Sequence, residues 1–76
     1  MTTRAAVLLR YGLPDSPTFQ MKMQQHPQQT LRVRVKHQAG SISMSTGHLS
    51  SLAHELRSAD IGLAEQIQAF LRSAKL

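Results

Sequence analysis

Apolar and charged residues alternate without a break along Leu31-Arg32-Val33-Arg34-Val35-Lys36. A period of two is that of a β-strand, here with one apolar face and one face made wholly of cations. The run Phe19-Gln20-Met21-Lys22-Met23-Gln24 repeats the alternation in the same polarity. Between them lies the polar, proline-containing Gln25-His26-Pro27-Gln28-Gln29, so strands over Thr18 to Gln25 and Gln29 to His37 are predicted to pair as a hairpin. A third alternating run, Ser41-Ile42-Ser43-Met44-Ser45, follows the turn signal Gln38-Ala39-Gly40. In a meander of these strands Phe19, Met21, Met23, Leu31, Val33, Val35, Ile42 and Met44 share the inner face. Gln20, Lys22, Gln24, Arg32, Arg34, Lys36, Ser41, Ser43 and Ser45 share the outer one.

From Thr46 the period lengthens to that of a helix. Leu49, Leu52, Ala53 and Leu56 recur at helical spacing, with Ser45 or Thr46 placed to cap the first turn. The segment Ser58-Ala59-Asp60-Ile61-Gly62 interrupts the pattern, and Leu63, Ile67, Phe70 and Leu71 form the stripe of a second helix. Glu65 stands near its start and Arg72 and Lys75 near its end, as the helix dipole favours. Thr3 to Tyr11 fits either period. The turn-rich Gly12-Leu13-Pro14-Asp15-Ser16-Pro17 that follows inclines the reading to a strand facing Ala5, Val7, Leu9 and Tyr11 inward. The expected fold is therefore α+β: a three- or four-stranded antiparallel sheet followed by two C-terminal helices packed on one sheet face. Residues 1–76 are expected to form a single small domain, with strands within 3–45 and helices over about 47–58 and 63–74.

Length bears on stability. A chain of 76 residues lies near the lower limit at which one core offsets chain entropy, so homodimerisation is one expectation. Nine Lys and Arg against four Asp and Glu leave a formal charge of +5, which favours acidic or polyanionic partners. The cations are spread from Arg4 to Lys75 with no adjacent run, the pattern of a charged surface and not of a basic arm. Cysteine is absent, which removes disulfides and thiolate metal sites and fits a cytoplasmic setting. The apolar run Ala5 to Leu9 is too short to span a bilayer or to serve as a secretory h-region, so no membrane association is expected.

Little in the chain points to catalysis or to a cofactor. His26, His37, His48 and His54 lack ligand spacing, and no closely spaced carboxylates complete a metal site. Neither a nucleophile-elbow motif nor a glycine-rich phosphate loop occurs. His37 beside Arg34 and Lys36 is the one arrangement that could support acid–base cleavage of RNA. A non-enzymatic binding protein is the expectation.

The outer sheet face carries the functional reading. Lys22, Arg32, Arg34 and Lys36 would meet phosphates, with Gln20, Gln24 and Ser43 as hydrogen-bonding neighbours. Residues two apart on a strand lie roughly 6.5–7 Å apart, close to the step between successive phosphates on one nucleic-acid strand. Such a face also serves solubility, but that role usually interleaves acids, and the only acid before Glu55 is Asp15. Nucleic acid or a nucleoprotein complex is the first expected partner. An alternative is a small inhibitor or adaptor, of the kind phages and plasmids carry, that blocks a host protein complex through the same basic face. A third reading makes the last two helices a helix-turn-helix regulator that contacts DNA through residues such as Gln66 and Arg72. Of the aromatics, Tyr11, Phe19 and Phe70, two fall at core positions, so platforms for stacking bases are scarce. Met21, Met23 and Met44 would fill the core, or form an adaptable docking patch if the helices leave part of the inner sheet face open.

Overall fold

The computed structural model describes residues 2–26 and 29–74. Three strands, β1 (Gln20–His26), β2 (Gln29–His37) and β3 (Gly40–Ser45), form an antiparallel sheet in the order β1-β2-β3. Two helices follow, α2 (Thr46–Leu56) and α3 (Ile61–Ser73), and a short helix α1 (Arg4–Arg10) precedes the sheet. The expected α+β architecture is present, with three strands. Pro27 and Gln28 of the anticipated hairpin loop, and Lys75 beyond α3, lie outside the described residues.

Residues Arg4–Arg10 are helical, which corrects the strand expected there. The Thr3 hydroxyl accepts from the Ala6 amide at 3.1 Å and caps the start. At the other end Gly12 (φ +78°) closes a Schellman motif: its amide bonds the Leu9 carbonyl and the Leu13 amide bonds that of Leu8, each at 3.0 Å. The glycine that reads as a turn after a strand is thus the stop signal of a helix. Neighbouring Val7 and Leu8 are both buried while Leu9 is 75% exposed. A strand would have alternated them.

The sheet keeps its predicted polarity. Met21 pairs with Val35, Met23 with Val33, Val33 with Met44 and Val35 with Ile42, all toward the helices. Leu31 departs from the pattern. Pairing steps from Gln24↔Arg32 to His26↔Gln29, so β2 carries one extra residue there, and Leu31 takes φ 66° within this bulge. A branched side chain in the left-handed region costs about 1–2 kcal/mol. Leu31 is 51% exposed and stands outside the core it was expected to join.

The helices cover the inner sheet face. Val33, Val35 and Met44 meet Leu49, Leu52 and Leu56 of α2 and Ile67 of α3 in one cluster, which Val7 and Leu8 of α1 complete. Ser45 is the residue that caps α2, its hydroxyl accepting from the His48 amide at 3.0 Å. Asp60 caps α3 by accepting from the Leu63 amide at 3.1 Å. The turn between the helices, residues 57–60, therefore falls two residues earlier than the expected 59–62, and Ile61 and Gly62 belong to the first turn of α3.

Two polar anchors fix the segment between α1 and β1. The buried Ser16 hydroxyl donates to the Thr18 carbonyl at 2.7 Å and accepts from the Gln38 amide at 3.2 Å, tying this segment to the β2–β3 turn. Arg4 donates to the Ser16 carbonyl, pairs with Asp15 at 3.3 Å and Asp60 at 3.5 Å, and lies over the Phe19 ring. One side chain thereby joins α1, the following loop, the entry to β1 and the N-terminus of α3.

Candidate anion-binding face of the sheet

Strand register sets the outer face row by row. Gln20, Lys36 and Ser41 stand side by side across the three strands, then Lys22, Arg34 and Ser43, then Gln24, Arg32 and Ser45. All seven residues expected at the site, Gln20, Lys22, Gln24, Arg32, Arg34, Lys36 and Ser43, are brought together. Three cations run along β2 at a step of roughly 6.5–7 Å, and Lys22 stands directly across from the middle one.

The two arginines are held by β3. Arg32 donates through Nε to the Ser43 hydroxyl at 3.1 Å and through Nη2 to the Ser43 carbonyl at 3.2 Å. Arg34 donates through Nη1 to the Ser41 hydroxyl at 2.9 Å. The Ser43 hydroxyl in turn donates to the Gln24 side-chain carbonyl, so the chain of bonds crosses all three strands. A guanidinium has five N–H donors, and most of those on Arg32 and Arg34 remain free for an anion. Holding a long side chain in place before a ligand arrives lowers the ordering cost of binding, about 0.5–1.5 kcal/mol per side chain.

Acids are kept away from this face. Among the described residues, the ion pairs join Arg4 to Asp15 and Asp60 and Arg10 to Glu55, all in or beside the helical layer. Glu65 lies on α3. Among the described residues, Lys22, Arg32, Arg34 and Lys36 form no ion pair. Lys22 and Arg34, directly opposed with no acid between them, repel each other, because like charges across a strand pair destabilise a sheet.

At the β1 edge the face continues into a cleft of about 620 Å³ that sequence reasoning did not anticipate. Lys22, Arg34 and Lys36 line it together with Gln20, and Phe19, Met21 and Phe70 give it an apolar wall. Gln66 of α3 donates its amide to the Phe19 carbonyl at 2.9 Å, which fixes the helix beside the edge strand. The available signal was Gln66, a polar residue four positions before Phe70 and thus on the same helix face. The helix-turn-helix reading assigns that amide to DNA; in the fold it donates to the Phe19 carbonyl.

Two of the histidines serve the fold. His37 Nδ1 accepts from the Ala39 amide at 3.2 Å within the β2–β3 turn. His48 packs its ring on Tyr11 at 4.6 Å. Among the described residues no group of three or more His, Asp or Glu could hold a metal ion, and no helix is long and apolar enough to cross a membrane. The Tyr11 hydroxyl donates to Glu55, and its pKa is raised above the usual value of 10.0, first by partial burial and then by that carboxylate. Compared with protein-family models, curated proteins and solved structures, the chain matches none.

Proposed function

We propose that this protein is a small non-enzymatic binding module whose cationic sheet face docks on nucleic acid, alone or within a nucleoprotein complex. Lys22, Arg32, Arg34 and Lys36 contact phosphates, while Gln20, Gln24 and Ser43 add hydrogen bonds. The supporting observation is the opposition of Lys22 and Arg34 in the middle of a face without acids. A face that served only solubility would relieve that repulsion with a single Glu; a face that awaits an anion leaves it standing. Contacts made chiefly to phosphates position the protein without selecting sequence, so little sequence readout is expected. A reducing compartment where nucleic acid is exposed, the cytoplasm, suits a chain with no cysteine.

The test is fluorescence anisotropy with labelled duplex DNA, single-stranded DNA and structured RNA at about 50 and 200 mM salt. Four phosphate contacts predict a loss of affinity across that range of about 150-fold for duplex and about 50-fold for a single strand. Arg32→Ser with Arg34→Ser removes two contacts and lowers the logarithmic salt slope by about 1.4 to 1.8. Absence of binding to every probe at the lower salt would overturn the reading and direct the search to an acidic protein partner. Binding that the double variant leaves unchanged would remove the sheet face as its site.

A further inference from the structure

The cleft at the β1 edge is continuous with the cationic row, since Lys22, Arg34 and Lys36 belong to both. Its opposite side is apolar: Phe19, Met21 and Phe70, of which Met21 and Phe70 are only half-buried. The helices thus leave part of the inner sheet face open where an aromatic ring stands near three cations. At about 620 Å³ the space is within the range of small-ligand sites. A flat π-face beside unpaired positive charge is the chemistry that holds a base together with its phosphate.

We infer that the preferred ligand of this face is a single-stranded nucleic acid, one of whose bases leaves the phosphate row and lodges in the β1-edge cleft against Phe70. The inference rests on the nucleic-acid reading of the sheet face. Two features favour a single strand over a duplex. The cations along β2 form one row at a single-strand phosphate step, whereas a duplex offers two phosphate rows across a groove. The bases of a duplex are stacked and paired, so none can turn aside into a cleft without being unpaired, while a single strand presents its bases freely. Because the apolar wall would take a base by its face, and every base has a π-face, little sequence preference follows. Gln66 acts as a positioning residue, its bond to the Phe19 carbonyl holding α3 and Phe70 beside the edge strand.

The experiment compares a labelled oligothymidylate with a labelled duplex, using the wild type and Phe70→Leu. Leucine keeps the packing of a half-buried site while removing the aromatic face, and Phe70→Ala serves as a second variant once circular dichroism shows it folded. The expected result is a loss of affinity for the oligothymidylate of about 5- to 150-fold in either variant, with duplex binding unchanged. In the wild type, the Phe70 ring resonances should shift on addition of oligothymidylate and not on addition of duplex. An oligothymidylate that binds in a salt-dependent manner but is indifferent to both Phe70 variants would overturn the cleft and leave the phosphate row intact. Failure of both probes to bind would overturn the sheet-face reading, and the cleft assignment with it.

Discussion

Lys22→Glu is expected to make the protein more stable and less active. In the sheet Lys22 stands directly opposite Arg34, with side chains about 5 Å apart at their bases. With the charges taken as about 6 Å apart in water, their repulsion is about 0.7 kcal/mol, falling to about 0.3 kcal/mol at physiological ionic strength. Glutamate reverses the sign, so the gain is about 1.4 kcal/mol at low salt and about 0.6 kcal/mol at physiological salt. For a domain of this size that corresponds to a rise in Tm of roughly 5–10 °C and roughly 3–5 °C respectively. Lys22→Gln should give about half of each. Urea is the denaturant of choice, because a salt denaturant would screen the effect. Binding of nucleic acid should weaken at least about tenfold, since one phosphate contact is lost and a carboxylate now faces the ligand. A Lys22→Glu variant that is no more stable than wild type at low salt would refute the idea that the two cations act on each other. One that binds undiminished would refute their role in docking.

Two further expectations concern the helical layer. Replacing Arg4 by Met keeps its aliphatic stem but removes its bond to Ser16, its pairing with Asp15 and Asp60 and its charge over Phe19; a loss of about 2–3 kcal/mol is expected in urea titration, and a change below about 0.5 kcal/mol would show that this clasp holds nothing. Because the folded pKa of Tyr11 is raised, the native state retains the phenolic proton more strongly than the unfolded chain, so stability is held below about pH 10 and declines as pH rises beyond it; Tyr11→Phe should lack this component, and urea midpoints for the two proteins that fall in parallel with pH would contradict it.

The sheet and its cationic face were legible because a period of two is unambiguous when each charged position is Lys or Arg and the positions between are apolar, mostly Val or Met. The last two helices were legible for a similar reason, from the spacing of Leu49, Leu52 and Leu56. The first helix was not. Its seven residues supply too few turns to show a period, and its stop signal, Gly12-Leu13, has the same composition as a loop. Leu31 was misplaced because a bulge is created by pairing between strands, and nothing in the alternation along one strand reveals it. The cleft depends on where α3 lies relative to β1, a relation that no local pattern encodes.

The clasp around Arg4 bears on the order of assembly. The β1–β2 and β2–β3 hairpins and the α2–α3 pair are all formed between neighbours in the chain, and such contacts close quickly. By contrast, α1 rests on α2, and the partner of Tyr11 is Glu55, 44 positions away. The chain entropy lost in closing that loop is recovered only after the sheet and α2 already present a surface to receive it. Loop-closure physics therefore places the docking of α1, with the burial of Val7 and Leu8, after the two hairpins and the α2–α3 pair, in company with the equally long-range seating of α3 on β1.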